Sequence, residues 1–152
     1  MALRVQGSTM KYREMELSDY ESILSLWQES EGVKLREADT AEGIDKYLTR
    51  NPGLSFVAEH GNEIIGTIMA GHDGKRGYIQ HLTVNPHSRK AGIATELLFI
   101  CVDALKLEGI VKSHIHVLVD NEPAKKFWAN RGWKKRNDID VYSYINGRDA
   151  SA

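Results

Sequence analysis

Hydrophobic and polar positions recur at helical spacing in some stretches and alternate as in strands in others, and the changes of rhythm mark the elements. Met10 to Met15 fits a short strand. Ser18-Asp19 then offers an N-cap, and Ile23, Leu24, Leu26 and Trp27 form an apolar face that predicts a helix to about Glu29. After a polar, glycine-containing loop, Asp39-Thr40 caps a second helix through Ile44, Tyr47 and Leu48. It stops before Asn51-Pro52-Gly53, because the residue ahead of a proline disfavours helical backbone. Ser55 to Glu59, Glu63 to Ala70 and Gly77 to Val84 are β-rich runs parted by His60-Gly61-Asn62 and His72-Asp73-Gly74, which predicts an antiparallel meander. From Gly92 to Gly109 the spacing is helical again, with Ile93, Leu97, Ile100, Cys101 and Ala104 opposite Glu96, Asp103 and Lys106. Lys112 to Val119 predicts a strand, Glu122 to Arg131 a short helix, and Trp133 to Ile145 a hairpin turning at Asn137-Asp138. Met1 to Thr9 matches no element pattern and is set aside as a leader or disordered tip; residues 147–152 are expected to be a loose tail.

A strand, a helix and another strand in succession form a crossover unit, which forces one parallel pairing into an otherwise antiparallel sheet. The expected class is therefore α/β with a mixed sheet. The length of 152 residues, 41% hydrophobic and 27% charged, suits one domain with one core, placed at residues 10–146. A net charge of -1 gives no global attraction to nucleic acid or to anionic membranes, so any phosphate recognition has to be local. No run approaches the roughly 18 apolar residues of a membrane helix, so a cytoplasmic protein without membrane or nucleic-acid partners is expected. Cys101 is the only cysteine, which leaves no disulfide framework and suggests a core residue.

The junction between the Gly77–Val84 strand and the helix from Gly92 carries the first chemical signal. The opening N–H groups of a helix lack intrahelical partners and bear partial positive charge, so they attract anions. Gly92 lets an anion approach the main chain, Ala94 keeps the next turn open, and Arg89 and Lys90 add full charges.

Arg89-Lys90-Ala91-Gly92-Ile93-Ala94 matches the pattern Q/R-x-x-G-x-G/A, with an apolar strand before it and a helix after it. A second segment, Asn121-x-x-Ala124-x-x-Phe127-Trp128-x-x-x-Gly132-Trp133, follows the next strand. Together they resemble the acetyl-CoA-binding motif and the C-terminal motif of the Gcn5-related N-acetyltransferase (GNAT) superfamily, especially its small bacterial members. The resemblance runs from Met10 to about Ile145. It implies a mixed, mostly antiparallel central sheet with helices on both faces and a V-shaped splay between two central parallel strands. It also implies transfer of an acetyl group from acetyl-CoA to a primary amine of a small molecule or protein, by direct attack in a ternary complex. In that arrangement the amides of Arg89, Lys90, Ala91, Gly92, Ile93, Ala94 and Thr95 hold the pyrophosphate. The edge of the Gln80 to Val84 strand, through Leu82, Thr83 and Val84, pairs with the pantetheine arm.

Asn121 is a helix N-cap, a contact to the cofactor arm, or both. Trp128 stands on the cofactor side where many relatives have a tyrosine that protonates the leaving thiolate. The cluster of Lys125, Lys126, Lys134, Lys135 and Arg136 meets the cofactor's 3′-phosphate or is plain surface.

The proton-transfer groups are harder to place. The superfamily often has a carboxylate where this chain has Gln80, and an amide can order a water but not act as a base. The backbone N–H of Leu82 is the candidate oxyanion donor. Tyr142 or Tyr144 could replace the missing acid, although packing on a half-buried sheet is the better account of at least one of them. Strict alternation puts His81 on the face opposite Gln80, packed under a helix. His114 and His116 share a strand face without a carboxylate or thiolate nearby, so no metal is expected.

Between Glu14 and Asp45 there are ten acidic residues against Lys34 and Arg36. In the superfamily this region borders the acceptor, so a cationic amine would be drawn there, with Trp27, Glu29, Glu31 and Glu37 as candidates; solvated helix faces explain most of these charges equally well. Cys101 is not expected to reach the cleft, which argues against a covalent intermediate. The rival class is an acyl-CoA-binding module with little transferase activity. The acceptor's identity is not encoded in these patterns, and a homodimer is one open option.

Overall fold

In a computed structural model, residues 2–5, 8–30, 35–89 and 91–147 are described. Lys90, Glu31 and the Glu37 side chain therefore lie outside the described part. The chain divides into two compact units, Met1–Ile115 and His116–Ala152.

The first unit is built on a six-stranded sheet in the order β1 (Ala2–Val5), β2 (Ser8–Glu14), β3 (Phe56–His60), β4 (Glu63–His72), β5 (Gly77–Val84) and β6 (Ser113–Ile115). All neighbours are antiparallel except β5 and β6, which run parallel because α3 (Ile93–Leu107) crosses between them. The expected class and mixed, mostly antiparallel sheet are thus present. Two expectations about strands in this unit change. Ala2–Val5 is a strand in antiparallel register with β2, so an element begins well before Met10. The strand expected over Lys112–Val119 is only Ser113–Ile115, because its pairing with β5 ends at Ile79↔Ile115.

The helices cover both faces of the sheet. On one, α1 (Tyr20–Gln28) and α2 (Ala41–Arg50) bury Ile23, Leu26, Trp27 and Ile44 against Met15, Val57, Ile64 and Met69. Burying each of these large side chains is worth about 1.5–3 kcal/mol, which secures the helices that frame the site. The start of α1 is tied to the sheet by Arg13, whose guanidinium donates to both oxygens of Asp19 at 2.8 and 2.9 Å and to Glu59 at 3.0 Å. Asp19 therefore anchors the helix entry through β2 and makes no side-chain cap.

On the opposite face α3 buries Ile93, Leu97, Leu98, Cys101 and Leu105. A Cβ added at Gly66 would lie 3.1 Å from both Ile93 and Leu97, so α3 rests almost on the backbone of β4.

The second unit contains α4 (Glu122–Asn130) followed by residues without regular structure. The hairpin expected over Trp133–Ile145 is absent: no strand is formed there, and Ile139, Val141, Tyr142, Tyr144 and Ile145 are exposed. β-propensity expresses how well a side chain suits a pleated, half-buried surface, so an apolar alternating run without a ladder partner does not become a strand.

Candidate active site

The anion loop is assembled from local interactions. After β5, Asn85 accepts from the His87 N–H at 2.9 Å and caps a 3₁₀ turn at Pro86–Ser88. Arg89 is extended, and its Nε donates weakly to the Val84 carbonyl at 3.4 Å. Gly92 has a left-handed φ of 76°, and the space where a Cβ would stand is open. α3 begins at the next residue with no side chain capping it, and the Glu96 N–H donates to the Gly92 carbonyl at 3.0 Å. A helix N-terminus without a side-chain cap, reached over a glycine with room above it, suits a phosphate group.

Directly before this loop β5 loses its parallel neighbour. Ladder pairs join Gly77, Tyr78 and Ile79 to Ser113, His114 and Ile115, and no pair joins Gln80–Val84 to β6. The strand remains attached to β4 on its other side. Among the described residues the Gln80–Val84 edge makes no ladder pairs with β6 between the end of the parallel pairing and the anion loop, and a strand edge without ladder pairs is the geometry that accepts an added extended chain.

Within that length the ladder to β4 slips. Thr67 pairs with Thr83 and Met69 with Gln80, so His81 and Leu82 together oppose Ile68 in a β-bulge. His81 has a φ of 48°, the left-handed region, which costs a non-glycine residue about 1–2 kcal/mol. The bulge overturns the alternation argument for His81. Gln80 lines a pocket beside α2, and His81 stacks on Trp27 of α1, so both reach the α1–α2 face.

His81 is held from three sides, by Trp27 of α1, Asp39 ahead of α2 and Thr67 of β4. Its ring lies 4.1 Å from that of Trp27 at an interplanar angle of 17°. Its Nε2 is 2.9 Å from Asp39 Oδ1. The Trp27 Nε1–H donates to Thr67 Oγ1 at 3.0 Å, and the Thr67 hydroxyl donates to the His81 carbonyl at 2.8 Å. Asp39 is fixed in turn, with Oδ2 accepting from the Arg36 N–H at 2.9 Å and its carbonyl accepting from the Tyr20 hydroxyl at 2.9 Å. Gly43 of α2 lies directly against the Ala38 carbonyl, where a Cβ would collide with backbone. Burial raises the Asp39 pKa, but hydrogen bonds from His81 and the Arg36 amide outweigh it and leave the carboxyl below its ordinary range. An ionised carboxylate only accepts, so Nε2 carries the shared hydrogen and Nδ1 of a neutral ring keeps its lone pair.

The pocket beside Gln80 has a volume of about 310 Å³ and is lined by Tyr47, Arg50, Asp73 and Tyr78 among others. Asp73 is occupied by the amides of Lys75 and Arg76, each at 2.8 Å, with the Tyr78 hydroxyl at 3.4 Å. The buried Tyr47 hydroxyl has no hydrogen-bond partner among the described residues, and burial pushes its pKa up.

Trp27 is 1% exposed, so an acceptor would meet it through His81 and not directly. Glu29 is exposed at the C-cap of α1. Leu82 is half-buried, and Thr83 and Val84 are buried. Ala91 is exposed, while Ile93 is buried as the first core residue of α3 and leaves only its amide for a ligand. Cys101 is buried with its thiol directed to the Leu54 carbonyl at 3.4 Å, and burial pushes its pKa up to about 12, which disqualifies it as a nucleophile. Among the described residues no group of three or more His, Cys, Asp or Glu is arranged to hold a metal.

In the second unit Asn121 accepts from the Ala124 N–H at 3.1 Å and so caps α4. Lys125 pairs with Glu122 at 3.2 Å. Trp128 is buried with Trp133 edge-on at 4.7 Å, and Arg131 lies 3.6 Å over the Phe127 ring. Tyr142 and Tyr144 are 91% and 87% exposed, so neither packs on a sheet as expected. Sequence reasoning missed Asp39 as a partner of His81 and missed Thr67 altogether. Asp39 has an obvious local explanation as a helix cap, a role that Thr40 fills by accepting from Gly43 N–H at 3.1 Å.

Comparison with known proteins bears on the family and the fold. An acetyltransferase from Pectobacterium atrosepticum is 34% identical over 113 residues, which are 74% of this chain and 79% of that protein. The PaiA N-acetyltransferase from Thermoplasma acidophilum, solved in complex with coenzyme A, superposes with a TM-score of 0.75 over 92% of this chain and 94% of its own, at 20% identity. Glucosamine-6-phosphate N-acetyltransferase from Arabidopsis thaliana gives a TM-score of 0.66 over 91% and 99% of the two chains, at 22% identity. Residues 20–133 match the family model for the acetyltransferase (GNAT) family, and the chain belongs to that family.

Proposed function

We propose that the protein transfers the acetyl group of acetyl-CoA to a primary amine, with both substrates bound together. One observation carries the reading: the edge of β5 is released after Ile79 and leads straight into the Gly92 loop. The amides from Arg89 to Thr95 hold the pyrophosphate, and the Leu82–Val84 edge pairs with the pantetheine arm. Acetyl-CoA supplies an activated acyl carbon and a thiolate leaving group. The Leu82 N–H, within the bulge, is the donor for the oxyanion that forms when the amine attacks, and Gln80, which lines the neighbouring pocket, orders a water. A thiolate with a pKa near about 8.5 leaves without a dedicated acid. Direct attack is supported by Cys101, the single thiol, being buried on the α3 side.

The acceptor is an amine that is cationic before reaction, in keeping with the excess of acidic over basic residues in the sequence between Glu14 and Asp45. Release of free thiol from acetyl-CoA in the presence of a panel of small amines and amino-terminal peptides tests the assignment. Turnover that depends on the amine supports it; tight binding of acetyl-CoA with no turnover for any amine would make the protein an acyl-CoA-binding module.

A further inference from the structure

The bulge in β5 places a titratable ring where the strand alone offers only the amide of Gln80. We propose that His81 is the group that accepts the proton from the acceptor ammonium, held in the necessary tautomer and orientation by Asp39, Trp27 and Thr67. The inference rests on the amine-acetylation reading above and adds to it the missing base.

Three features of the cluster support the assignment. First, Asp39 Oδ1 fixes Nε2 as the protonated nitrogen at 2.9 Å, and Nδ1 has no hydrogen-bond partner among the described residues. A histidine arranged in this way has one nitrogen anchored and one free to take a proton. Second, the ring is clamped flat on Trp27, and its backbone carbonyl is held by Thr67, whose hydroxyl is itself held by Trp27. Such bracing restricts rotation of the ring and gives the free nitrogen a defined direction. Third, His81 and Asp39 side chains are each 12% exposed, so the pair is shielded but not sealed. Histidine is one of the non-glycine side chains that tolerate positive φ, so the backbone φ of 48° is compatible with a residue whose ordinary pKa lies near neutrality. Among the described residues, the charged and titratable groups facing the pair are Asp39 itself, Arg36, which lies close enough to lower the Asp39 pKa, and Tyr20, which bonds the Asp39 carbonyl. Trp27 and Thr67 do not titrate.

Two protons leave the ammonium nitrogen. One passes to His81 Nδ1, directly or through one water, and then to bulk solvent, which exposes the lone pair of the amine. That lone pair forms the C–N bond at the thioester carbon, the C–S bond breaks with its electrons on sulfur, and the second proton ends on the CoA thiolate.

A purely structural latch, pinning the segment at residues 36–39 to the sheet, would also explain the contacts, and the test separates the two. His81→Asn tolerates the left-handed backbone and keeps a hydrogen-bonding side chain but cannot titrate near neutrality. It is expected to lower kcat/KM by about 10²–10³-fold at neutral pH, with acetyl-CoA affinity within twofold of wild type and the deficit shrinking as the pH approaches the pKa of the amine. Asp39→Asn removes the negative neighbour of the imidazolium, so the acid limb of the pH profile is expected to move to lower pH. Long-range ¹H–¹⁵N spectra of the wild-type protein provide a readout independent of turnover: the neutral ring is expected as the Nε2–H tautomer.

An Nδ1–H tautomer, a ring still charged at pH 9, or a His81→Asn variant within threefold of wild type with its acid limb unchanged would overturn the proposal. If His81→Asn unfolds, the Asp39→Asn profile and the spectra decide. Wild-type protein that binds acetyl-CoA but acetylates no amine defeats the underlying reading; wild type that turns over alongside an equally active His81→Asn defeats the base assignment alone.

Discussion

The Gly92 loop follows the strand that carries His81, and the loop and the His81 cluster are built in opposite ways. The loop is made of backbone: a 3₁₀ turn, an extended residue, a left-handed glycine and the open end of α3, all within residues 85–96. The cluster is made of side chains from four separate places, Trp27 in α1, Asp39 ahead of α2, Thr67 in β4 and His81 in β5. The contrast teaches that binding of the common donor can be encoded locally, because a helix end presents the same amides whatever its side chains. Proton transfer needs a particular ring at a particular angle, and that depends on how the whole face packs.

If the two regions are separable, changes in one should leave the other's readout intact. The largest effect is expected from Gly92→Glu, which puts bulk and negative charge into the space above the helix end and should abolish acetyl-CoA binding in calorimetry. Gly92→Ala, in the same left-handed conformation, should cost about 1–2 kcal/mol of strain and weaken binding only modestly. Next in size is His81→Asn, with its 10²–10³-fold loss of kcat/KM and retained donor affinity. Gly43→Ala should sharpen the comparison, since its Cβ meets the Ala38 backbone and must push Asp39 away from His81. We expect it to lower kcat/KM about tenfold with little change in acetyl-CoA affinity; equal losses in both would show that the regions are coupled.

Thr67→Val removes the hydroxyl that joins Trp27 to the His81 carbonyl and strands a buried indole N–H, so a stability loss of about 1–3 kcal/mol is expected in denaturant titration. The smallest effect concerns acid stability. Asp19 and Asp39 both have folded-state pKa values below their unfolded ones, Asp19 because Arg13 and the Glu16 amide outweigh the cost of burial. The stability they contribute is fully present above the unfolded carboxylate pKa of about 3.9 and is lost as the pH falls through the lowered folded values. Asp39→Asn should therefore flatten the fall in melting temperature below about pH 4 relative to wild type.

Most of the framework was legible because it repeats short-range rules. β5 was bounded at Gly77–Val84 from alternation and turn residues, and α3 begins one residue after Gly92, as the helical spacing indicates. The elements that escaped are those whose existence depends on a partner. Ser113–Ile115 is a strand only as far as β5 stays beside it, and Trp133–Ile145, with its alternating apolar residues, finds no ladder. His81 escaped for a related reason: the alternation rule assumes an unbroken pleat, and a single extra residue opposite Ile68 moves the ring to the other face. Asp39 was concealed by its nearest explanation as a helix cap, and no feature of the linear sequence connects it to a histidine 42 positions away.

The central claim, that the Gly92 loop holds the donor while His81 serves only the proton, is tested most directly by titrating acetyl-CoA calorimetrically into wild type, Gly92→Glu and His81→Asn. The account predicts matching affinities for wild type and His81→Asn and no detectable binding to Gly92→Glu; unchanged affinity in Gly92→Glu, or its loss in His81→Asn with the fold intact, would contradict it.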